Sequence, residues 1–282
     1  MLGIDLGANK VLGVKVKKGK VTRRVKITLK SKTKDEIVSA IDSLIDQLGK
    51  GEKAVGIDIP GIHQKGKILK TPNLPSLNGF DLKKEIEKKW NKAVVVENDA
   101  NCFAYGEAIR RKKKFLVGIT IGSGLGGGIV IDGKIYHGKR DVGEFGHMTI
   151  FVNGRKCTCG NRGCWEMYVS EKGFKIESKR IFGRSLPPLE VFNLANQGNK
   201  KALLIFEKIG SYLGVGLANI ANILNPEIIV IGGGISKSKK FLLPPALKEM
   251  RKRLMVSEPK IVVGRYDSAA YGAALLTKFF KV

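Results

Sequence analysis

A chain of 282 residues is too long for a peptide hormone or a small stapled domain, and has room for two ordinary domains or one large one. Hydrophobic residues at 43% and charged residues at 27% are globular proportions, which excludes global disorder. The formal net charge of +26 invites a nucleic-acid reading.

In chain order, a buried-looking strand at residues 2–6 is followed by a turn at 7–10 and two further strands out to about residue 29. Residues 10–34 hold eleven basic residues and no acid, but lysines alternate with valines there, as on a solvated strand face. Neither a basic helix nor tandem zinc-finger spacing accompanies them, so no nucleic-acid partner is expected. Residues 35–48 have helical periodicity, with Gly49 as a stop. An apolar run at 54–59 ends at Pro60-Gly61, then come a Pro-rich loop (TPNLPSLNGF), an amphipathic helix at 81–90 and a strand at 93–96. This β-β-β-α-β-α-β progression is one α/β domain.

Residues 115–121 begin the same plan again: strand, Gly-rich turn (GSGLGGG), strand, turn, strand. The restart is a weak internal echo and suggests two related halves. Helices are expected at 169–181, 188–195 and 200–224, a strand at 228–231, and a small-residue helix at 268–279 that packs back on the first half. The domains expected are 1–110 with 268–282, and 111–267. No apolar stretch reaches the roughly 18–20 residues of a membrane span; the nearest, 210–226, contains three Asn and ends in Pro. The opening MLGIDLGANK sets Asp5 inside a short apolar run, unlike a signal peptide, so the expectation is a cytoplasmic chain without a membrane partner.

Three groups of residues carry chemistry. His147, Cys157, Cys159 and Cys164 are the ligand set of a closed structural Zn2+ site. Disulfides are the alternative, and they are not expected in a chain with no export signal. The fourth cysteine, Cys102, sits on a helical pattern and reads as core. Two glycine loops follow strand ends, Asp5-Leu6-Gly7-Ala8-Asn9-Lys10 and Gly122-Ser123-Gly124-Leu125-Gly126, where backbone N–H groups can approach a phosphate. A third run, Gly232-Gly233-Gly234, could let a flat base slide against the backbone. Neither phosphate loop matches the G-x-x-x-x-G-K-[ST] pattern. Last come carboxylates: Glu97-Asn98-Asp99 after the strand at 93–96, and Glu144 and Glu166 flanking the Cys/His knot. Asp99 could equally be a helix N-cap. Carboxylates and amides at the knot suit vicinal hydroxyls of a polyol.

Those residues resemble the ROK sugar kinases, which include bacterial glucokinases and N-acetylhexosamine kinases. The resemblance is carried by IDLGANK (4–10), ENDANCFAYGE (97–107), TIGSGLGGGIVIDGKIYHG (120–138), EFGH (144–147), CTCGNRGCWE (157–166), LGVGLANIANILNPEIIVIGGGIS (213–236) and DSAAYGAALL (267–276), nearly the whole chain. It implies the two-domain actin-like ATPase (hexokinase/ribonuclease H-like) fold, with sugar and ATP meeting in an interdomain cleft. It also implies Asp99 as the general base, and Gly61, Asn78, Asn98, Asp99, Glu144, His147 and Glu166 as sugar contacts. The nucleotide with its Mg2+ would lie on Asp5, Gly7, Ala8, Asn9 and Lys10, on Gly122, Ser123, Gly124 and Gly126, and on Gly232, Gly233 and Gly234. His147 would serve both metal and sugar, one imidazole nitrogen for each. A homodimer is implied too.

Two departures fall on the sugar side: Leu77 stands where many members have Trp, and Asp58 replaces a usual small residue ahead of Pro60-Gly61. The stretch between Glu166 and Lys200 is short for the family. The reaction expected is ATP-dependent phosphorylation of a hexose hydroxyl, glucose at its 6-OH first, with polyphosphate a conceivable donor. Alternatives are an N-acetylhexosamine kinase and a non-catalytic sugar-sensing regulator. The helix-turn-helix domain that repressor members carry is expected to be absent. A nucleic-acid-binding zinc protein is the weakest reading.

Overall fold

The computed structural model describes residues 1–140 and 142–279. The chain divides into two compact units, one of Met1–Lys114, Gly128–Asp141 and Arg265–Val282, the other of Phe115–Gly127 and Val142–Gly264.

In the first unit β1 (Leu2–Leu6), β2 (Lys10–Lys17), β3 (Lys20–Thr28), β4 (Ala54–Ile59) and β7 (Ala93–Asn98) form a sheet of order β3-β2-β1-β4-β7. β1 and β2 are joined by a tight hairpin; β1, β4 and β7 run parallel. β1 and β4 read as continuous apolar runs because helices take up their faces. Helix α1 (Lys34–Leu48) buries Ile37, Ile41, Leu44, Ile45 and Leu48; the Thr33 hydroxyl caps it by accepting from the Glu36 N–H. A small hairpin, β5 (Ile62–Gln64) and β6 (Lys67–Lys70), leads to helix α2 (Leu82–Trp90). Helix α3 (Asp99–Arg111) follows β7 directly, and α9 (Ser268–Leu276) packs on α3, β1 and β4. That packing explains the small residues of α9. A Cβ on Gly272 would lie 1.9 Å from the Cys102 carbonyl oxygen, and one on Gly3 would lie 1.9 Å from the Ala270 carbonyl oxygen. Only glycine permits backbones this close.

The second sheet repeats the plan. β8 (Leu116–Ile121), β9 (Leu125–Ile131), β10 (Lys134–Ile135), β11 (Ile228–Gly232) and β12 (Lys260–Val263) take the order β10-β9-β8-β11-β12. Strand for strand this is the order of the first sheet, and β8, β11 and β12 again run parallel. The echo between IDLGANK and TIGSGLG is therefore architectural.

The helices of the second unit are α4 (Glu166–Val169), α5 (Glu171–Phe182), α6 (Pro188–Asn196), α7 (Lys200–Leu224) and α8 (Lys239–Arg251). The helix expected from residue 169 is broken at Ser170, whose extended backbone ends α4 and whose hydroxyl caps α5 from the Lys172 N–H. α8 runs through Pro244 and Pro245, a pair that reads in sequence as a breaker. Pro245 seats on Gly210 of α7, where a Cβ would come within 2.4 Å of its ring. α7 has the length and apolarity of a bilayer span, yet twelve of its residues are buried inside this unit.

Candidate active site

In the first unit the site residues gather at the carboxyl ends of the parallel strands β1, β4 and β7. Register places Asp5 of β1 beside Asp58 of β4, Asp58 beside Glu97 of β7, and Ile59 beside Asn98. β7 runs two residues further than its apolar pattern suggests, and this sets which residue caps α3. Asn98 is the N-cap: its Oδ1 accepts from the Ala100 and Asn101 N–H groups, at 2.9 and 3.1 Å. Asp99 is the first residue of α3, with its Oδ1 accepting from the Ala100 N–H at 2.8 Å.

Asn98 Nδ2 donates to the Gly61 carbonyl at 3.3 Å. Gly61 has φ 128°, and a Cβ there would lie 2.3 Å from the Lys70 carbonyl oxygen, so the Pro-Gly turn has no room for another residue. Asn78 accepts from the Thr71 N–H at 2.8 Å, tying the loop after β6 to the same region. Gly61, Asn78, Asn98 and Asp99 thus lie in one hydrogen-bonded neighbourhood. Next to it, the β1–β2 turn closes on the Gly7 N–H to Lys10 carbonyl bond (3.0 Å), leaving Asn9 and Lys10 exposed.

The electrostatics of this edge are acidic. Burial raises Asp5 above the usual carboxylate range, against the pull of the Asp58 carboxyl and the Lys10 charge. Asp58 is 0% exposed; burial, then the charges of Asp5 and Asp99, hold it well above that range. The polar groups that act on Asp58 at hydrogen-bond range are the Asp5 carboxyl, which raises it further, and the Leu6 N–H, which pulls it down. Below lies Cys102, fully buried in α3, its thiol pushed well up by burial and then by the carboxylates around it.

One pair here was not legible beforehand. Glu97 Oε2 meets His137 Nε2 at 2.8 Å, while Glu97 Oε1 accepts from the Asn98 N–H (2.9 Å) and Asn101 Nδ2 (3.0 Å). Burial pushes Glu97 up, but the bonds from His137, Asn101 and the Asn98 N–H outweigh it and hold the carboxyl low. The same bond raises His137.

In the second unit His147, Cys157, Cys159 and Cys164 converge, with one ligand atom from each lying within 4.8 Å of all the others. Cys159 Sγ and Cys164 Sγ are 3.7 Å apart, and Cys157 Sγ lies 3.9 Å from His147 Nδ1. Zn–S bonds of about 2.3 Å imply a tetrahedral edge of about 3.8 Å, so the group fits that ion. The knot is built from turns. The Cys157 N–H donates to the Asn161 carbonyl, the Gly160 N–H to the Cys157 carbonyl, and the Ile150 N–H to the Gly163 carbonyl. Burial, then the neighbouring thiols, push the Cys164 thiol up to about 12, a state that a bound dication would reverse. Behind it Trp165 is fully buried against Gly216 of α7.

His147 presents Nδ1 to the thiols, leaving Nε2 3.8 Å from a carboxylate oxygen of the open Glu144 side chain (61% exposed). Glu166 is enclosed instead. Its Oε2 accepts from the Leu125 N–H at 3.0 Å and its Oε1 pairs with Lys172 Nζ at 2.6 Å. Glu166 therefore ties the knot to the glycine turn at 122–126, and Lys172 joins the site without any signal in sequence pattern. The turn itself is held by the Gly122 N–H to Gly124 carbonyl bond and leaves Ser123 exposed. Gly232 pairs with Thr120, and Gly233, at φ 82°, would set a Cβ 2.3 Å from the Ile121 carbonyl oxygen. The second and third glycine runs are thus neighbours at the carboxyl ends of β8 and β11.

Two sheets of one strand order, with glycine turns at their strand ends, define an α/β protein of the actin-like ATPase fold. Residues 1–278 match the ROK family, and the chain belongs to that family. It is 34% identical over 266 residues to the xylose repressor of Bacillus subtilis, covering 90% of this chain and 69% of that protein. It is 32% identical over 294 residues to a Thermotoga maritima glucokinase (96% and 92% covered) and 35% over 262 residues to a Photobacterium profundum N-acetyl-D-glucosamine kinase (86% of each). Among solved structures, a ROK hexokinase from Thermus thermophilus superposes with a TM-score of 0.86 at 26% identity, covering 98% of this chain and 96% of that one. A ROK family glucokinase from Streptomyces griseus, in complex with glucose and AMPPNP, gives 0.83 at 28% identity, with 98% of both chains covered.

Proposed function

We propose that the protein is an ATP-dependent sugar kinase of the cytoplasm that phosphorylates a hexose hydroxyl, with Asp99 as the general base. The observation that carries this reading is the division of labour at the end of β7: Asn98 caps α3, so Asp99 is not needed as the cap. Asp99 would accept the proton of the attacking hydroxyl. Asn98, Gly61 and Asn78 would fix that hydroxyl's neighbours, and Glu144, His147 and Glu166 would hold the remaining ones. The Lys172 contact holds the Glu166 side chain in place, which suits a carboxylate accepting from sugar hydroxyls.

Phosphoryl transfer asks the protein chiefly for positioning and charge neutralisation. The exposed amides of the turns at 7–10 and 122–126 would cradle phosphate oxygens, and Gly232–Gly234 would leave room for the base. Mg2+ accompanying the nucleotide would supply charge neutralisation there, with Asp5 the residue to orient it. Zn2+ would be held by His147 Nδ1 and the thiolates of Cys157, Cys159 and Cys164, supplying a rigid clamp that aims His147 Nε2 outward.

Glucose is the first substrate expected, in keeping with the glucokinase relatives; N-acetylglucosamine follows from the N-acetyl-D-glucosamine kinase relatives. The 34% identity to a xylose repressor favours a second reading, a sugar-responsive regulator. ADP formation measured against a panel of hexoses and N-acetylhexosamines separates the two. Sugar-dependent ADP release is the expected result. Sugar binding without ATP consumption for any member of the panel would replace the kinase reading with the regulator.

A further inference from the structure

We propose that Lys172 is a positioning residue for nucleotide binding, acting through Glu166 on the glycine turn at 122–126. The proposal rests on the reading above that phosphates lie on that turn. Lys172 itself is assigned no contact with either substrate.

The turn is pinned from one short segment of the second unit. The Glu171 N–H donates to the Gly122 carbonyl at 2.9 Å, and the Leu125 N–H donates to Glu166 Oε2 at 3.0 Å. Between those anchors the Gly122 N–H closes the turn on the Gly124 carbonyl. Both anchors therefore come from the corner where α4 meets α5. The one at Glu171 is backbone at the start of a twelve-residue helix and is fixed with it. The one at Glu166 is a side chain, and a side chain can swing.

Glu166 lies hard against the turn. It is 8% exposed, and a Cβ on Gly124 would come within 2.6 Å of its Oε2. Only glycine leaves room for the carboxylate there. What stops the swing is Lys172, whose Nζ holds Oε1 at 2.6 Å across the break at Ser170. The lysine backbone is fixed in turn, its N–H donating to the Ser170 hydroxyl at 3.2 Å. A charge-assisted bond on each oxygen sets the plane of the carboxylate. Without the lysine an enclosed carboxylate loses its counter-charge, which is costly, and turning toward water relieves the cost. Leu125 then loses its anchor. The turn would be ordered by the arriving nucleotide instead of beforehand, and affinity would fall. A residue serving the sugar alone would have no such effect while sugar is absent.

The test is calorimetric binding of AMPPNP with Mg2+ to the full, zinc-loaded chain in the absence of sugar. Lys172→Met, which keeps an unbranched stem and removes the charge, should weaken binding about fivefold or more, as should Glu166→Gln. Lys172→Arg, whose guanidinium can still reach Oε1, should restore most of the affinity. Adding Lys172→Met to Glu166→Gln should weaken binding no further, because the lysine acts through the carboxylate. Unchanged affinity in Lys172→Met would overturn the proposal. An equal loss in the Glu166→Gln background would overturn it too, making Lys172 a direct phosphate contact. Zinc content and melting temperature should stay near wild type; affinity lost together with zinc would make Lys172 a support of the knot and no positioning residue. Sugar-dependent ADP formation on the same preparations keeps the two readings apart. The expected binding pattern without turnover in wild type removes only the kinase assignment, and turnover with undiminished Lys172→Met affinity removes only this role. Absence of AMPPNP binding by wild type would overturn both.

Discussion

The two units hold their functional side chains by different physical means. In the first, Asp5, Asp58, Asn98 and Asp99 are set by strand register and a helix cap, so their places follow from the backbone of a five-stranded sheet. In the second, Glu144 and His147 stand at the two ends of a single 3-10 turn and Glu166 opens the four-residue helix α4, and between them three thiols and an imidazole converge among turns. A sheet edge keeps its geometry as long as its core is intact. A turn cluster keeps it only while its central group is satisfied.

Removing metal should therefore break the comparison on one side only. Chelation, or Cys159→Ser, is expected to destabilise the second unit by about 4 kcal/mol or more, the scale on which loss of a structural metal falls. In amide exchange, protection should collapse over residues 147–169 while the strands β1, β4 and β7 remain protected. Equal loss in both units would show that the two are not independently held. The complementary change is Gly272→Ala. Its Cβ meets the Cys102 carbonyl at 1.9 Å, so α9 must move off α3, at a cost of about 1–3 kcal/mol or somewhat above. Calorimetry should report lowered stability with zinc content unchanged.

The smallest effect sharpens the first side. His137 is raised and Glu97 is lowered by their mutual bond, so the signs differ. The His137 contribution is complete below the ordinary imidazole range and fades as pH rises through its elevated value. The Glu97 contribution is complete above the ordinary carboxylate range and fades as pH falls through its depressed value. The pair thus stabilises most in the weakly acid window between them. With His137 about half exposed, solvent screening keeps the contribution below about 1 kcal/mol. His137→Gln should flatten the decline in melting temperature between pH 6 and pH 8, roughly the span of imidazole titration; an unchanged pH profile would remove the pair from the account.

Much of this was legible in the amino-acid order, and the exceptions have physical reasons. Two α/β halves could be read because IDLGANK and TIGSGLG each close a buried strand with glycine, and the strand orders agree. The ligand cluster could be read because cysteine and histidine at those offsets have few other uses. The role of Asp99 was ambiguous from pattern alone, since a cap and a base look alike. It took two extra paired residues on β7 to move the cap to Asn98. His137 carried no signal, because an ion pair joining residues 40 apart leaves no periodicity, and Lys172 carried none because it meets Glu166 across the break between α4 and α5 and not along one helix face. Helix α8 was hidden by Pro244-Pro245, whose local preference is overridden by packing on Gly210.

The central claim is that Asp99 takes a proton from a sugar hydroxyl, and it is tested most directly by Asp99→Asn with sugar affinity and turnover measured on one preparation. The amide preserves shape and hydrogen-bonding reach but accepts no proton. The account predicts sugar affinity close to wild type, with ADP formation lowered at least about a hundredfold. Near-normal turnover in that variant would contradict it.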